Sequence, residues 1–390
     1  MKIVIAPDSF KGSVSSTSAA ARIKDGIIQE NKNIETIKIP VADGGEGTVD
    51  AFLTFMDGVK VIESVEDPIG RIIEAGYGWI EESKTAIIET ASASGLPLLS
   101  ETEKNPSKAS TYGTGELVKS ALDRGAKKLI IGLGGSATVD AGTGFLQALG
   151  VEFLDENQMP LKGSGECLGN VQSIDITRLD QRLSEVEITI ASDVTNPLLG
   201  KNGAVYVFGP QKGIQRKDLE EFESKMKHYA SVVNKTVLKN EIDSPGSGAA
   251  GGFGFSLLSF LQVKMRSGFE LIAEASNLEI HIKSADLVIT GEGKFDTQSL
   301  NGKVPIGIAR IAKKYNVPVV VFTGQFEGDL AALTEEGIYL VVPIVDQVMT
   351  LPVAMETGEE LLEKAARRLI RTIDLGRHTT KESILKKVLK

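Results

Sequence analysis

Five aspartates share one context in this chain. Asp8 follows the apolar run Ile3–Pro7. Asp43 follows Pro40–Ala42 and opens Asp43-Gly44-Gly45-Glu46-Gly47. Asp140 closes Gly134-Gly135-Ser136-Ala137-Thr138-Val139-Asp140, Asp193 follows Thr189–Ser192, and Asp296 closes Gly291-Glu292-Gly293-Lys294-Phe295-Asp296. Taken singly, each is an ordinary turn or helix-capping aspartate. Taken together, they place carboxylates just past the ends of apolar runs, where open α/β sheets bind their ligands. A carboxylate in such a loop accepts a proton or holds a hard cation, and the glycines beside it let backbone N–H groups approach an anion. Gly134–Thr138 has the strongest form of that pattern, because it joins an apolar run to a helical one and so presents N–H groups at a helix entrance. Lysines are sparse in these loops. Of Lys11, Lys212, Lys294 and Lys303, the sequence favours Lys11 and Lys294 for meeting phosphate or carboxylate charge.

Other chemistries find little support. Gly246-Ser247-Gly248-Ala249-Ala250-Gly251 fits the dinucleotide pattern G-x-G-x-x-G, but it follows Asp243-Ser244-Pro245 rather than an apolar strand, and no acidic residue closes a second strand about 20 residues on. The Walker phosphate loop and the protein-kinase motifs are absent. His228, His281 and His378 lack metal-ligand spacing, and no histidine lies near a serine or cysteine in a nucleophile pattern. Read alone, the loops leave open an NAD-linked dehydrogenase and a non-catalytic binding protein.

The elements that must position these loops read as alternating strands and helices. Ile3–Ala6, Ile34–Val41, Thr85–Glu89, Lys128–Gly132, Val186–Ala191, Ala204–Phe208, Leu287–Thr290, Val317–Phe322 and Tyr339–Ile344 are short runs rich in β-branched residues, many of them apolar throughout. Such runs fit strands buried on both faces of a largely parallel sheet. Gly76–Ile80 and Thr85–Glu89 read as a hairpin. Helical spacing marks Ser16–Gln29, Gly115–Leu122, Ala141–Leu149, Lys217–Val233, Lys303–Lys314 and Gly358–Leu375. The fold class is therefore α/β in two domains: a Rossmann-like parallel-sheet domain split in sequence (1–60 and 284–390) and an inserted α/β domain (61–283).

Bulk properties agree. At 390 residues the chain exceeds one ordinary core. Its 42% hydrophobic and 24% charged content is that of a globular protein, and its net charge of −9 with no basic stripe argues against nucleic acid as partner. A lone cysteine, Cys167, fits a reducing compartment. No apolar run reaches the roughly 18 residues of a membrane span, and the N-terminus lacks a signal-peptide pattern, so the expected location is the cytoplasm. The oligomeric state is open, a dimer being compatible.

In order along nearly the whole chain, several blocks resemble the bacterial glycerate kinase family of the type that lacks a P-loop. They are Ala6–Ser13, Pro40–Thr48, Thr111–Glu116, Gly132–Gly142, Ser192–Gly200, Phe208–Gly213, Gly248–Gly252 and Leu287–Gly293 through Gly302-Lys303. Small departures fall at Lys294-Phe295-Asp296 and Ser267-Gly268-Phe269-Glu270. The resemblance implies phosphoryl transfer from MgATP to D-glycerate, giving a phosphoglycerate, with 2-phosphoglycerate favoured over 3-phosphoglycerate. With the loop chemistry it implies Asp193, Asp8 and Lys11 as catalytic residues, Asp193 leading as base. Ser9, Asp43, Glu46, Lys294 and Asp296 are expected at the substrate, and Gly134, Gly135, Ser136 and Thr138 at the nucleotide phosphates. Mg²⁺ is expected among Asp43, Asp193 and Asp296.

Overall fold

The computed structural model describes residues 1–296 and 304–388. In chain order its strands are β1 (Lys2–Ile5), β2 (Glu35–Lys38), β3 (Val59–Glu66), β4 (Ile72–Ile80), β5 (Thr85–Glu89), β6 (Lys128–Gly132), β7 (Glu152–Leu154), β8 (Ser173–Asp175), β9 (Glu187–Ala191), β10 (Val263–Arg266), β11 (Leu287–Asp296), β12 (Val319–Glu327) and β13 (Ile338–Pro343). The chain divides into two compact units, Met1–Ala42 with Ile272–Lys390, and Asp43–Leu271. These bounds fall earlier than the sequence pattern places them, at both junctions. β3 pairs with β4 from Val59↔Trp79 to Glu66↔Ile72, and the helix Thr48–Phe55 packs on β4 and β5, so residues 43–60 go with the second unit. The helix Leu278–Lys283 packs on Val304–Lys314 and goes with the first.

The split unit holds a five-stranded, all-parallel sheet in the order β13-β12-β11-β1-β2. Its central strands contribute fully buried Ile3, Ile5 and Ile289. From β1 the chain steps outward to β2, while β11, β12 and β13 build in the other direction, so the order reverses between β1 and β11. The helix Ser16–Glu30 starts where the Ser15 hydroxyl accepts the Ser18 N–H at 3.1 Å. Its Ala19, Ala20, Ile23 and Ile27 stripe is buried in a cluster with Leu362, Ala365, Ala366 and Leu369 of the helix Gly358–Val388.

The continuous unit holds a six-stranded sheet in the order β10-β9-β6-β5-β4-β3. The first four strands are parallel, and β4 and β3 extend the sheet antiparallel, with β4–β5 the expected hairpin. β7 and β8 form a separate two-stranded ribbon. The core closes over Ile88, Leu129, Ile131, Ile188 and Ile190, with Phe145 and Phe253 packed at a ring separation of 4.8 Å.

Two sequence expectations change. Ala204–Phe208 is a helix, not a strand. The Ala204 N–H donates back to Leu198 O at 2.9 Å and the Gly209 N–H to Val205 O at 2.9 Å, which folds this β-branched run on itself before it can pair. Only one face is buried, with Ala204 and Val205 at 0% exposure against Val207 at 42%. Gly291–Asp296 is likewise not a loop. β11 continues through it, pairing Glu292↔Thr323, Lys294↔Gln325 and Asp296↔Glu327 on β12.

The helix pair in the split unit yields a stability prediction. A Cβ at Gly26 would lie 2.4 Å from the Glu363 carbonyl oxygen and 2.9 Å from the Ala366 Cβ. Alanine would gain about 1 kcal/mol in helix propensity, but overpacking against a backbone oxygen costs about 1–3 kcal/mol. Gly26→Ala is therefore expected to lower stability by about 1 kcal/mol in urea unfolding. A raised midpoint would show that the helices separate without cost.

Candidate active site

In the continuous unit, β5, β6, β9 and β10 are parallel and in register, with Glu89↔Gly132, Gly132↔Ala191 and Ala191↔Arg266 as aligned partners. Their carboxyl ends therefore make one straight edge. Gly134, Asp193 and Gly268 each lie two residues beyond it. The Asp43–Gly47 loop crosses this edge. The Gly134 N–H donates to Gly44 O at 3.1 Å, the Leu133 N–H to Ala191 O at 3.2 Å, and the Ser192 N–H to Arg266 O at 2.9 Å. The approach is too close for side chains: a Cβ on Gly44 would sit 2.6 Å from Ala191 O, and one on Gly268 would sit 2.3 Å from the Gly44 nitrogen.

Asp193 stands on this edge with its side chain still reaching solvent. Partial desolvation by the packed loops is the main cause that pushes its carboxyl up to about 6. The charges of Asp43 and Glu270 push the same way. A hydrogen bond from Ser267 and one from the Gly268 N–H, at 3.2 Å, pull back. Asp43 is partly buried, and its Oδ1 accepts the Gly45 N–H at 3.0 Å. Glu46, on the same loop, is exposed. The edge thus gathers Asp43, Asp193 and the Gly134 turn.

The sequence pattern gave no role to Glu89, Ser267, Gly268 or Glu270, the last three standing out only as a departure from the family blocks. Glu89 closes an otherwise apolar buried strand, and its Oε1 accepts the Val49 N–H at 2.6 Å, at the start of the helix that follows the Asp43–Gly47 loop. Burial pushes this carboxyl up to about 7, against the pull of the Val49 N–H. An acidic residue ending an apolar run was the available signal.

Within Gly134–Thr138 only Gly134 and Gly135 reach the surface; Ser136 is 3% and Thr138 0% exposed. Behind them lies Lys212, 2% exposed, whose Nζ donates to Ser136 Oγ at 2.7 Å and Thr138 O at 2.8 Å. Burial pushes the Lys212 amine down to about 7, and the charge of Asp140 partly offsets this. The Gly246–Gly251 segment packs against the end of the same turn: a Cβ on Gly251 would lie 2.1 Å from Thr138 O, and Gly251 O accepts the Ala141 N–H at 3.1 Å. The helix Leu219–Val237, not a strand, precedes it, which removes the structural context of a dinucleotide site.

Asp140, one of the five aspartates, is fully buried. Its Oδ2 accepts the Thr111 N–H (2.8 Å), the Thr111 hydroxyl (2.7 Å) and the Gly144 N–H (3.2 Å), and its Oδ1 accepts the Gly142 N–H (3.1 Å). These donors occupy it as a brace between two helix entrances.

In the split unit, the order reversal between β1 and β11 puts Asp8 at the expected ligand position. Asp8 is 7% exposed, its N–H donates to Gly291 O at 2.9 Å, and its Oδ1 accepts the Ser9 N–H at 2.6 Å. Thr290 Oγ1 donates to Ala6 O at 2.7 Å and stitches the two strand ends together. Ser9 is partly buried, and Lys11 projects from the turn closed by the Phe10 N–H to Val14 O at 2.8 Å. Glu292, also 7% exposed, sits on the neighbouring strand. Lys294 lies 3.4 Å from Glu327 with both side chains exposed, a pair that contributes little. Asp296 ends β11, and its side chain lies outside the described residues, as does Lys303.

Asp140→Ala should strand four buried donors at once. At about 1–3 kcal/mol for each unsatisfied group, the loss should dominate urea unfolding, with Asp140→Asn intermediate. A variant that keeps full stability but loses activity would return Asp140 to the chemistry.

A family model described as "Glycerate kinase family" matches residues 3–374. A glycerate kinase of Halalkalibacterium halodurans is 43% identical over 367 residues, covering 94% of this chain and 97% of the relative. The glycerate 2-kinase of Escherichia coli is 42% identical over 376 residues, covering 96% and 99%. A crystal structure from Salmonella typhimurium LT2, provisionally named a glycerate kinase 2, superposes with a TM-score of 0.82 at 41% identity over 97% of this chain and 99% of that one. Since these matches take in both units and every loop described above, the chain belongs to the glycerate kinase family.

Proposed function

We propose that this protein transfers the γ-phosphoryl group of MgATP to the 2-hydroxyl of D-glycerate, giving 2-phosphoglycerate and ADP. The observation that carries the reading is Asp193: a carboxylate poised near neutrality, beside Asp43 and a glycine turn on one sheet edge, in a chain of this family. The choice of the 2-hydroxyl is supported by the E. coli relative, which is named for that position and is 42% identical over nearly the whole chain. Both substrates suit the cytosol, where ATP is made.

Phosphoryl transfer asks the protein mainly for alignment and charge neutralisation. In this reading the substrate hydroxyl gives its proton to the Asp193 carboxylate. The hydroxyl oxygen then forms a bond to the γ-phosphorus as the bridging P–O bond to ADP breaks. A carboxyl lifted to about 6 is basic enough to take that proton and still ionised at neutral pH. The phosphates lie against the backbone of Gly134 and Gly135. Ser136 and Thr138, which are buried, shape that backbone from behind. Asp8, Ser9, Lys11, Glu46, Lys294 and Asp296 stay assigned to glycerate or to the phosphoryl group in flight.

Among the described residues no group of three or more His, Cys, Asp or Glu is placed to hold a metal. That fits Mg²⁺ arriving with ATP, since this ion commonly takes one or two carboxylates and completes its shell with phosphate oxygens and water. Asp43, close enough for its charge to act on Asp193, would be a protein ligand, leaving Asp193 free to take the proton. When bound, the ion would supply neutralisation of phosphate charge.

Three measurements test this. Asp193→Asn should lower kcat by about 10²–10⁴-fold in a coupled ADP-release assay while the melting temperature holds; near-normal turnover removes Asp193 as base. In the wild type, protonation of Asp193 below about pH 6 removes the proton acceptor. There kcat/KM should fall about tenfold per pH unit, a limb that Asp193→Asn abolishes. ³¹P NMR of the product should show 2-phosphoglycerate; 3-phosphoglycerate would overturn the position and keep the kinase.

A further inference from the structure

Lys212 is buried out of reach of any ligand, yet it touches both ends of the exposed glycine turn's buried half. It ends the short 3₁₀ turn Pro210–Lys212 and is 2% exposed. Its Nζ grips the Ser136 hydroxyl at 2.7 Å and, two residues on, the Thr138 carbonyl at 2.8 Å. Burying an amine that must give up water is costly, and an apolar side chain of similar length fills such space at lower cost. The same turn holds a second costly feature: Thr138 Oγ1 is buried and has no hydrogen-bond partner. Asp140 is the charged group that faces Lys212, and its oxygens are already engaged by Thr111, Gly142 and Gly144. A turn needed only for packing gains nothing from this arrangement.

We propose that Lys212 is a positioning residue for the nucleotide: by holding Ser136 and Thr138 from behind, it fixes the Gly134–Thr138 turn in the shape that receives the ATP phosphates. The proposal rests on the reading that this turn is the nucleotide phosphate site. The remaining ties of the turn are backbone contacts, from the Gly134 N–H to Gly44 O at 3.1 Å, from the Leu96 N–H to Gly135 O at 2.9 Å and from the Ala137 N–H to Ser94 O at 2.9 Å. None of the three reaches the Ser136 hydroxyl or the Thr138 carbonyl. Lys212 does, and its grip sets the direction in which the neighbouring N–H groups point.

The test compares steady-state constants and melting temperatures of wild type, Lys212→Met, Ser136→Ala, the double variant and Gly135→Ala. Gly135 has φ +75°, so alanine there strains the exposed turn directly. Lys212→Met is expected to raise KM for ATP at least tenfold while KM for glycerate stays within twofold. Ser136→Ala should raise KM for ATP several-fold, and the double variant should be no worse than Lys212→Met, because both cut one link. If Gly135→Ala raises KM for ATP and Lys212→Met does not, the phosphate site stands and the role of Lys212 falls. Equal losses for both substrates with a lowered melting temperature also overturn it, since that is general loosening. If none of the variants moves KM for ATP, the turn is not the nucleotide site and both readings fall together. Should Lys212→Met not fold, Ser136→Ala decides: an unchanged KM for ATP rejects the proposal.

Discussion

The register of four parallel strands governs the chemistry of the continuous unit. Because Glu89, Gly132, Ala191 and Arg266 are aligned partners, everything that follows each strand emerges at one level. A loop from earlier in the chain can then lie across all of them at once. That loop, Asp43–Gly47, fits only because the backbone atoms it crosses carry no side chains at Gly44, Gly134 and Gly268. The glycines bring a carboxylate from residue 43 beside one from residue 193, and with it the mutual repulsion that helps keep Asp193 basic.

The same crowding displaces other titratable groups toward neutrality. Glu89 moves up to about 7 and Lys212 down to about 7, and desolvation is the leading cause in both. A fold under pressure only for stability would place apolar residues at such positions. Ionisable groups at the ends of buried strands and under a glycine turn fit a site whose shape matters more than its local stability.

Much of this was legible from the chain alone, for identifiable reasons. Thr85–Glu89 and Lys128–Gly132 read correctly to the residue because their interiors, Ala86–Ile88 and Leu129–Ile131, are the continuous apolar runs of strands buried on both faces. Ala204–Phe208 has the same composition and is helical, because the Ala204 amide folds back to Leu198, a contact that no periodicity reveals. The Gly291–Asp296 glycines suggested a loop, whereas pairing with β12 keeps them extended. The family blocks were plain, but the unit boundary at Asp43 was not, since it depends on where β3 finds its partner. Lys212 read as one loop lysine among several because sequence does not report burial.

The aspartates show most clearly where sequence stops and structure begins. Asp140 and Asp193 both follow an apolar strand and a short turn, and both sit in blocks shared with the family. Residue type and spacing do not separate them. Their donors do. Four N–H and O–H groups, two of them from Thr111, fill the lone pairs of Asp140 and leave no room for a substrate proton. Asp193 receives one backbone N–H and a serine hydrogen bond, keeps contact with solvent, and faces the charges of Asp43 and Glu270. The first environment turns a carboxylate into a brace. The second leaves it an acceptor with capacity to spare, and only such a carboxylate can take the proton of an attacking hydroxyl.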